Sequence, residues 1–430
     1  MILNKKYILA LSFIVMFAIN VNAQSTTNSP YSKFGVGNIK GSYLPQFRAM
    51  GNLAYGISSF GGYQNINVSN PASYSQIRLT AFDVGASADF QNLSKGSLSE
   101  KSFNSALSHF TFAIPITKKS AFSFGLLPFS NLGYQSQNVI SVDTFKVSQI
   151  YSGEGGLSKA YLGYGIGIGK HLNVGVNMSY IFGDLKETRA AEYQKYAGFL
   201  NSKSQNDLSI GGLNFDFGVQ YIKLLNKDTR LTVGYTGGAK TSFNTSNKTL
   251  FTRYQKDYKT NTEFRADTIA FVDGAKGKLV MPTNHNFGFS IEKINKWVVG
   301  ADLRLAKWSQ YSLNGTNGNL NNTWGFSVGG QITPNIKAVT NYIKLIDYRF
   351  GINYDKTYLN INNKDIDVKS INFGFGFPLI SARTAFYKIN LSTEFGKKGT
   401  LDNNLVKEKF INIKLGFTIN DRWFQKYKYD

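Results

Sequence analysis

The sequence predicts an all-β fold: a transmembrane antiparallel β-barrel of about 14 strands with an N-terminal luminal plug. Three observations predict it. A secretory leader opens the chain, and no later stretch is apolar for long enough to make a spanning helix. Apolar and polar residues alternate strictly over segments of about ten residues, the length a tilted strand needs to cross a bilayer. The connections between these segments are alternately short and long, the habit of outer-membrane barrels.

The leader is residues 1–23. Lys5 and Lys6 supply its positive start, Tyr7 to Ile19 its apolar run, and Val21-Asn22-Ala23 the small residues that a signal peptidase reads. No Cys follows to carry a lipid anchor. Residues 24–78 lack barrel-length alternation but hold Leu, Met, Phe and Tyr throughout, unlike a solvated tail. A plug folded into the lumen is the expected arrangement. Residues 79–419 are the expected barrel and 420–430 a periplasmic tail.

The strand pattern is clearest near Leu213, where Leu213, Phe215, Phe217, Val219 and Tyr221 alternate with Asn214, Asp216, Gly218 and Gln220. Near Ile371, three phenylalanines (Phe373, Phe375, Phe377) alternate with Asn372, Gly374 and Gly376. The segments so found are 79–90, 106–117, 120–131, 157–169, 172–183, 211–222, 229–239, 284–292, 296–305, 322–331, 347–358, 371–378, 387–396 and 409–419. Long linkers are expected at 91–105, 132–156, 184–210, 240–283, 306–321, 359–370 and 397–408, with 332–346 an exception on the short-turn side. A soluble β-sandwich would also alternate, but around an aliphatic core and over strands of about five or six residues. The Phe/Tyr/Trp-rich face seen here belongs in lipid, where a closed sheet pairs every backbone group and an open edge cannot.

Composition narrows the function. The 430 residues carry 48 Lys+Arg against 26 Asp+Glu, a formal charge of +22, yet only 17% are charged and 15% are aromatic. The absence of Cys excludes a disulfide scaffold and a Cys-based metal site. An exported chain is no partner for nucleic acid, so the positive excess, spread along the chain, points to lipid headgroups or a protein partner. His109, His171 and His285 fall in no metal-binding spacing, and no G-x-S-x-G elbow occurs. No metal, no cofactor and no enzymatic activity are expected. Trp308, Tyr311, Trp324 and the Trp423-Phe424 pair lie near strand ends, where an aromatic girdle belongs.

The polar face supplies the candidate luminal residues. Asp83, Asp89, Asp216, Asp302 and Glu394 share it with Arg304, Arg349, Lys388 and Lys414, a balance that suggests a closed charge network rather than an ion channel of one sign. Gly163, Gly165, Gly167 and Gly169 fall inward on one strand. They leave room for something in the lumen, or they relieve strain in a tightly coiled sheet.

The stretch from Met50-Gly51 to Asn70-Pro71-Ala72 resembles the plug of FadL/TodX-type outer-membrane transport proteins, which pair a Gly-rich segment with an Asn-Pro-Ala motif. Strand number and loop pattern extend the resemblance over the chain. Ser29–Gly35 and Asp421-Arg422-Trp423-Phe424 look like the Bacteroidetes branch of such barrels. The resemblance implies residence in the cell outer membrane among its lipids. It also implies passive uptake of a hydrophobic small molecule past a moving plug and out through the wall at a kink in the third strand. That strand holds Leu127-Pro128-Phe129, and Pro128, lacking an N–H, is either a lateral gate or a plain strand terminator or bulge. Some relatives of this type resemble docking barrels of protein secretion or assembly machinery, which is the alternative. A general structural or enzymatic barrel is the third class.

Overall fold

The computed structural model describes residues 29–61, 64–193, 199–379 and 385–423. The expected leader 1–23, and Phe424 with the rest of 424–430, lie outside the described residues.

Fourteen strands form the wall, each antiparallel to the next: β1 Thr80–Lys95, β2 Leu98–Thr117, β3 Ser120–Val142, β4 Phe145–Ile168, β5 Leu172–Tyr193, β6 Asn201–Leu224, β7 Thr229–Gly238, β8 Asn284–Lys293, β9 Trp297–Ala306, β10 Thr323–Ile332, β11 Asp347–Ile361, β12 Lys364–Leu379, β13 Phe386–Lys398 and β14 Lys407–Asp421. The sheet closes through β14 and β1, from Lys407↔Ser94 to Asp421↔Thr80. Alternation dictates the two faces. On β5, Val176, Met178 and Tyr180 are about half exposed on the outer wall, whereas Asn173, Asn177 and Ser179 are buried inside. Among the described residues no helix is long and apolar enough to cross a membrane.

The long linkers need correction. Most of 91–105, 132–156 and 359–370, and most of the described part of 184–210, is strand, whereas 397–408 is mainly a connection around the 3-10 turn Asp402–Asn404. The hairpins continue outward in register and reverse in tight turns, such as Asn362-Asn363, where both residues have left-handed φ (51° and 58°). Above the membrane both faces are wet, so these ladders are held by backbone bonds and show no apolar period in the sequence. Residues 240–283 also form a hairpin, Thr241–Asp257 with Thr262–Met281. Its first strand extends the ladder of β6, from Gly211↔Asn244 to Asn201↔Tyr254, while β7 and β8 pair directly beneath it. On the short-turn side, 332–346 is a connection carrying one short 3-10 turn, Tyr342–Leu345.

Among the described residues the wall is interrupted once. β2 and β3 pair only from Thr117↔Ser120 to Phe110↔Leu126. Further out, β2 pairs with β1 and β3 with β4, leaving two edges facing each other. The edge of β3 is taken up by the leading segment: Asn38 and Ile39 pair with Asn131 and Ser130, and the N–H of Lys40 donates to the Phe129 carbonyl at 2.9 Å.

Candidate functional site

The leading segment, residues 29–79, is built of short turns that proline and asparagine specify. Pro71 opens a 3-10 turn, Pro71–Gln76, whose first free N–H, that of Ala72, is capped by the Asn70 side chain at 3.2 Å. Asn70 also donates from Nδ2 to the Tyr55 carbonyl at 2.7 Å. A single helical turn, Pro45–Arg48, ends at Gly51 and Asn52, both with left-handed φ (75° and 69°). Leu44, Phe47, Met50, Leu53, Ile57, Ile66 and Tyr74 are almost completely buried, in one cluster with Leu127, Tyr161 and Val298 of the wall.

Glycines of the wall receive this segment. Gly165, Gly175 and Gly218 are register partners on β4, β5 and β6, and a Cβ on any of them would run into Pro71 or Asn70. Gly234 and Gly288 pair on β7 and β8, facing Tyr55 and Gly56. Gly300, Gly329 and Gly351 pair across β9, β10 and β11, facing Leu53 and Met50. Gly51 meets the backbone of Ile352 from the other side. The inward glycines of β4 therefore serve proximity. Gly163 and Gly165 lie against Tyr74 and Pro71, whereas Gly167 lies near Lys119 and Asn173. Gly169 is not on the strand at all but in the turn after it, at a φ of 64°.

The luminal charges are divided by this segment into separate groups instead of forming one network. At the short-turn end, Asp83 lies 2.8 Å from His109 Nε2 and accepts from Thr418 at 2.7 Å. Thr418 accepts from Asn390, and Asn390 accepts from Arg349. Arg349 and Lys388 both donate to Asp347, at 2.9 and 2.6 Å. Asp302 instead accepts the backbone N–H groups of Ala54 and Tyr55, at 2.6 and 3.0 Å. Arg304 pairs with Asp355 at 2.8 Å, and Lys159 with Asp216 at 3.0 Å. Ion pairs also reach from the segment to the wall: Arg48 to Glu394 at 3.6 Å, and Lys40 to Asp89 at 3.2 Å. Lys414 lines a cavity of about 420 Å3 at the outer mouth with Lys40, Arg48, Arg304 and Glu394.

Two of the expected girdle residues are not in a girdle. Trp308 and Tyr311 are buried, because the chain after β9 folds inward; Trp308 packs on Tyr358 at 4.4 Å and the Tyr311 hydroxyl donates to Gly35. Trp324 and Trp423 are about half exposed on the outer wall. Of the third-strand trio, Leu127 is buried inward, Pro128 faces Ser158 on β4, and a register shift follows between Pro128 and Ser130. These residues lie just beyond Leu126, where the β2–β3 ladder ends.

The model of one family, BamG, matches residues 1–430. The chain belongs to the BamG family. No curated protein matches it. Among solved structures, this BamG-family barrel is similar to the Pseudomonas putida toluene transporter TodX, with 15% identity, a TM-score of 0.55, and coverage of 90% of this chain and 100% of that one. The Ralstonia pickettii toluene transporter TbuX shows 13% identity and a TM-score of 0.54 over 90% of this chain and 100% of its own. A Pseudomonas aeruginosa FadL homologue shows 10% identity and a TM-score of 0.52 over 87% and 98%. At such identities the likeness is one of fold: a FadL-like outer-membrane barrel.

Several residues central to the BamG-family lumen were not legible in the sequence. Asp347, the shared acceptor of Arg349 and Lys388, stands at the first position of β11 on the inward face, but its two partners are fixed only by the fold, Lys388 coming from β13. His109 and Gln46 reach Asp83 from a bulged ladder and from the leading segment. The glycine pairs had a usable signal, inward Gly residues near the middle of successive strands, but their register appears only once the strands are paired.

Proposed function

We propose that this chain is a non-transporting docking barrel of an outer-membrane complex that assembles or secretes proteins, with residues 24–78 acting as a plug that keeps the lumen closed. The observation that carries this reading is the hairpin Thr241–Asp257/Thr262–Met281. Its second strand pairs on one side with the first and on the other only at Leu279 and Val280. Most of its side chains are exposed, Phe264, Ile269, Phe271 and Val272 by half or more. A long free edge carrying apolar side chains is a template for another chain. Ion pairs stiffen the blade: Arg253 forks onto Asp267 and, by hydrogen bonding, holds its carboxyl below the usual carboxylate range. The Bacteroidetes placement belongs to the same reading, carried by Ser29–Gly35 and Asp421–Trp423.

Purification in mild detergent followed by mass spectrometry tests it. A stoichiometric protein partner is expected, lost when residues 241–281 are replaced by a short Gly/Ser turn, while the barrel still shows heat-modifiable migration. A stoichiometric lipid-like small molecule with no protein partner would sink the reading.

The second reading is passive uptake of hydrophobic small molecules through the wall, with Leu127, Pro128 and Phe129 as the lateral gate. The break between β2 and β3 favours it, as does the likeness in fold to toluene transporters. Under this reading, a disulfide engineered across the break, between β2 and β3 beyond Phe110 and Leu126, stops toluene entry into proteoliposomes, and reduction restores it. Equal entry in both redox states removes the gate.

A further inference from the structure

The outer wall from β10 to β2 carries a feature that neither reading uses. Ile371, Phe395, Ile411, Phe90 and Phe103 are successive register partners on β12, β13, β14, β1 and β2, all exposed on the outer face. Two residues further out on the same strands, and hence on the same face, stand Lys369, Lys397, Lys409, Asn92 and Lys101, again directly opposite one another. The offset is roughly 7 Å. Together with Phe326 and Ile352, the lysine row and all of the apolar row but Phe103 line a concavity of about 800 Å3 whose lining includes no acidic side chain.

This pattern has two physical costs that one occupant removes. Lys369 faces Lys397, and Lys397 faces Lys409, as cross-strand neighbours. Like charges directly opposite destabilise a ladder. Asp367, two residues beyond Lys369 on the same strand and face, already accepts from the Tyr354 hydroxyl at 2.9 Å. Below the lysines, the inward curve of an apolar wall leaves a space that only flexible hydrocarbon fills without exposing it. We infer that β12 to β2 form a binding site for a phosphorylated lipid of the outer leaflet, its acyl chains in the concavity and its phosphate held by Lys369, Lys397, Lys409 and Lys101. Lysine suits this task, since its ammonium is a mobile point charge that follows a headgroup at the interface. The inference is independent of what passes through or docks on the barrel.

The test uses the full chain in nanodiscs of phosphatidylcholine doped with monophosphoryl lipid A or with its dephosphorylated form, and native mass spectrometry of the retained lipid. The wild type is expected to retain the phosphorylated form about tenfold or more in preference. The K101Q/K369Q/K397Q/K409Q variant is expected to lose the preference. In neutral detergent without lipid the same variant melts at a higher temperature than the wild type, because the repulsion is gone, which separates lost binding from lost folding. Equal retention of both lipids by the wild type, or an unchanged preference in the variant, overturns the site. A lysine row needed to hold a co-purifying protein, with lipid retention unchanged, overturns it as well.

Discussion

Replacing Gly351 with valine is expected to drive the leading segment from its place while leaving the wall intact. Gly351 on β11 faces the carbonyl of Met50 and the N–H of Gly51 so closely that even a Cβ would overlap them. The neighbours that would have to yield are backbone, not the ends of flexible side chains. Gly51 is itself locked by a left-handed φ of 75° and by contact with Ile352. Overpacking a close-fitting interior costs about 1–3 kcal/mol. Here the cost falls on the contact between segment and wall, so the segment yields first. Limited trypsin digestion of the folded protein in detergent reads the outcome at Arg48, which is buried in the wild type. Rapid cleavage there, with heat-modifiable migration preserved, is the expected result. A segment as protected as before, with an unchanged melting temperature, would mean that the glycine contacts do not seat it.

The second large effect is expected from Asp347→Ala. Arg349 and Lys388, each almost fully buried, both donate to this carboxylate. Removing it takes from both cations the carboxylate they bond in a low-dielectric interior. Breaking a buried pair from one side costs about 3–5 kcal/mol. Arg349 also holds Asn390, which bonds Thr418 and, through it, Asp83, so the loss spreads over β11, β13, β14 and β1. Urea unfolding of the barrel in micelles measures it. The triple change D347L/R349M/K388M is expected to recover most of the stability, since apolar groups of similar volume fill the site without stranding a charge. A D347A barrel as stable as the wild type, or a triple variant as weak as D347A, would show that the group does not act as an ion-pair unit.

The membrane-crossing part of the fold was legible because lipid imposes a rule on each residue separately. Every second side chain must be apolar, so Leu213 to Tyr221 and Ile371 to Phe377 announce their strands without reference to anything distant. Where the strands leave the membrane that rule lapses, and the outer halves of β3 to β6 read as loops although their backbones stay paired. The girdle expectation failed at Trp308 and Tyr311 for a related reason: an aromatic near a strand end suits an interface or a turned-in loop equally well until the loop is placed.

The sequence by itself determined the strand count, the inward and outward faces, and the short turns that order the meander, because alternation and turn chemistry act within a few residues. Only the tertiary structure decided what those faces meet. Gly351 and Met50, and Asp302 and Ala54, are brought together by a segment lying across the ring, and Asp347 and Lys388 by the pairing of β11 and β13 with β12. The row from Lys369 to Lys101 joins residues at opposite ends of the chain, which become neighbours only because β14 pairs with β1. Contacts of this kind depend on register between distant strands, and register is a property of the assembled sheet.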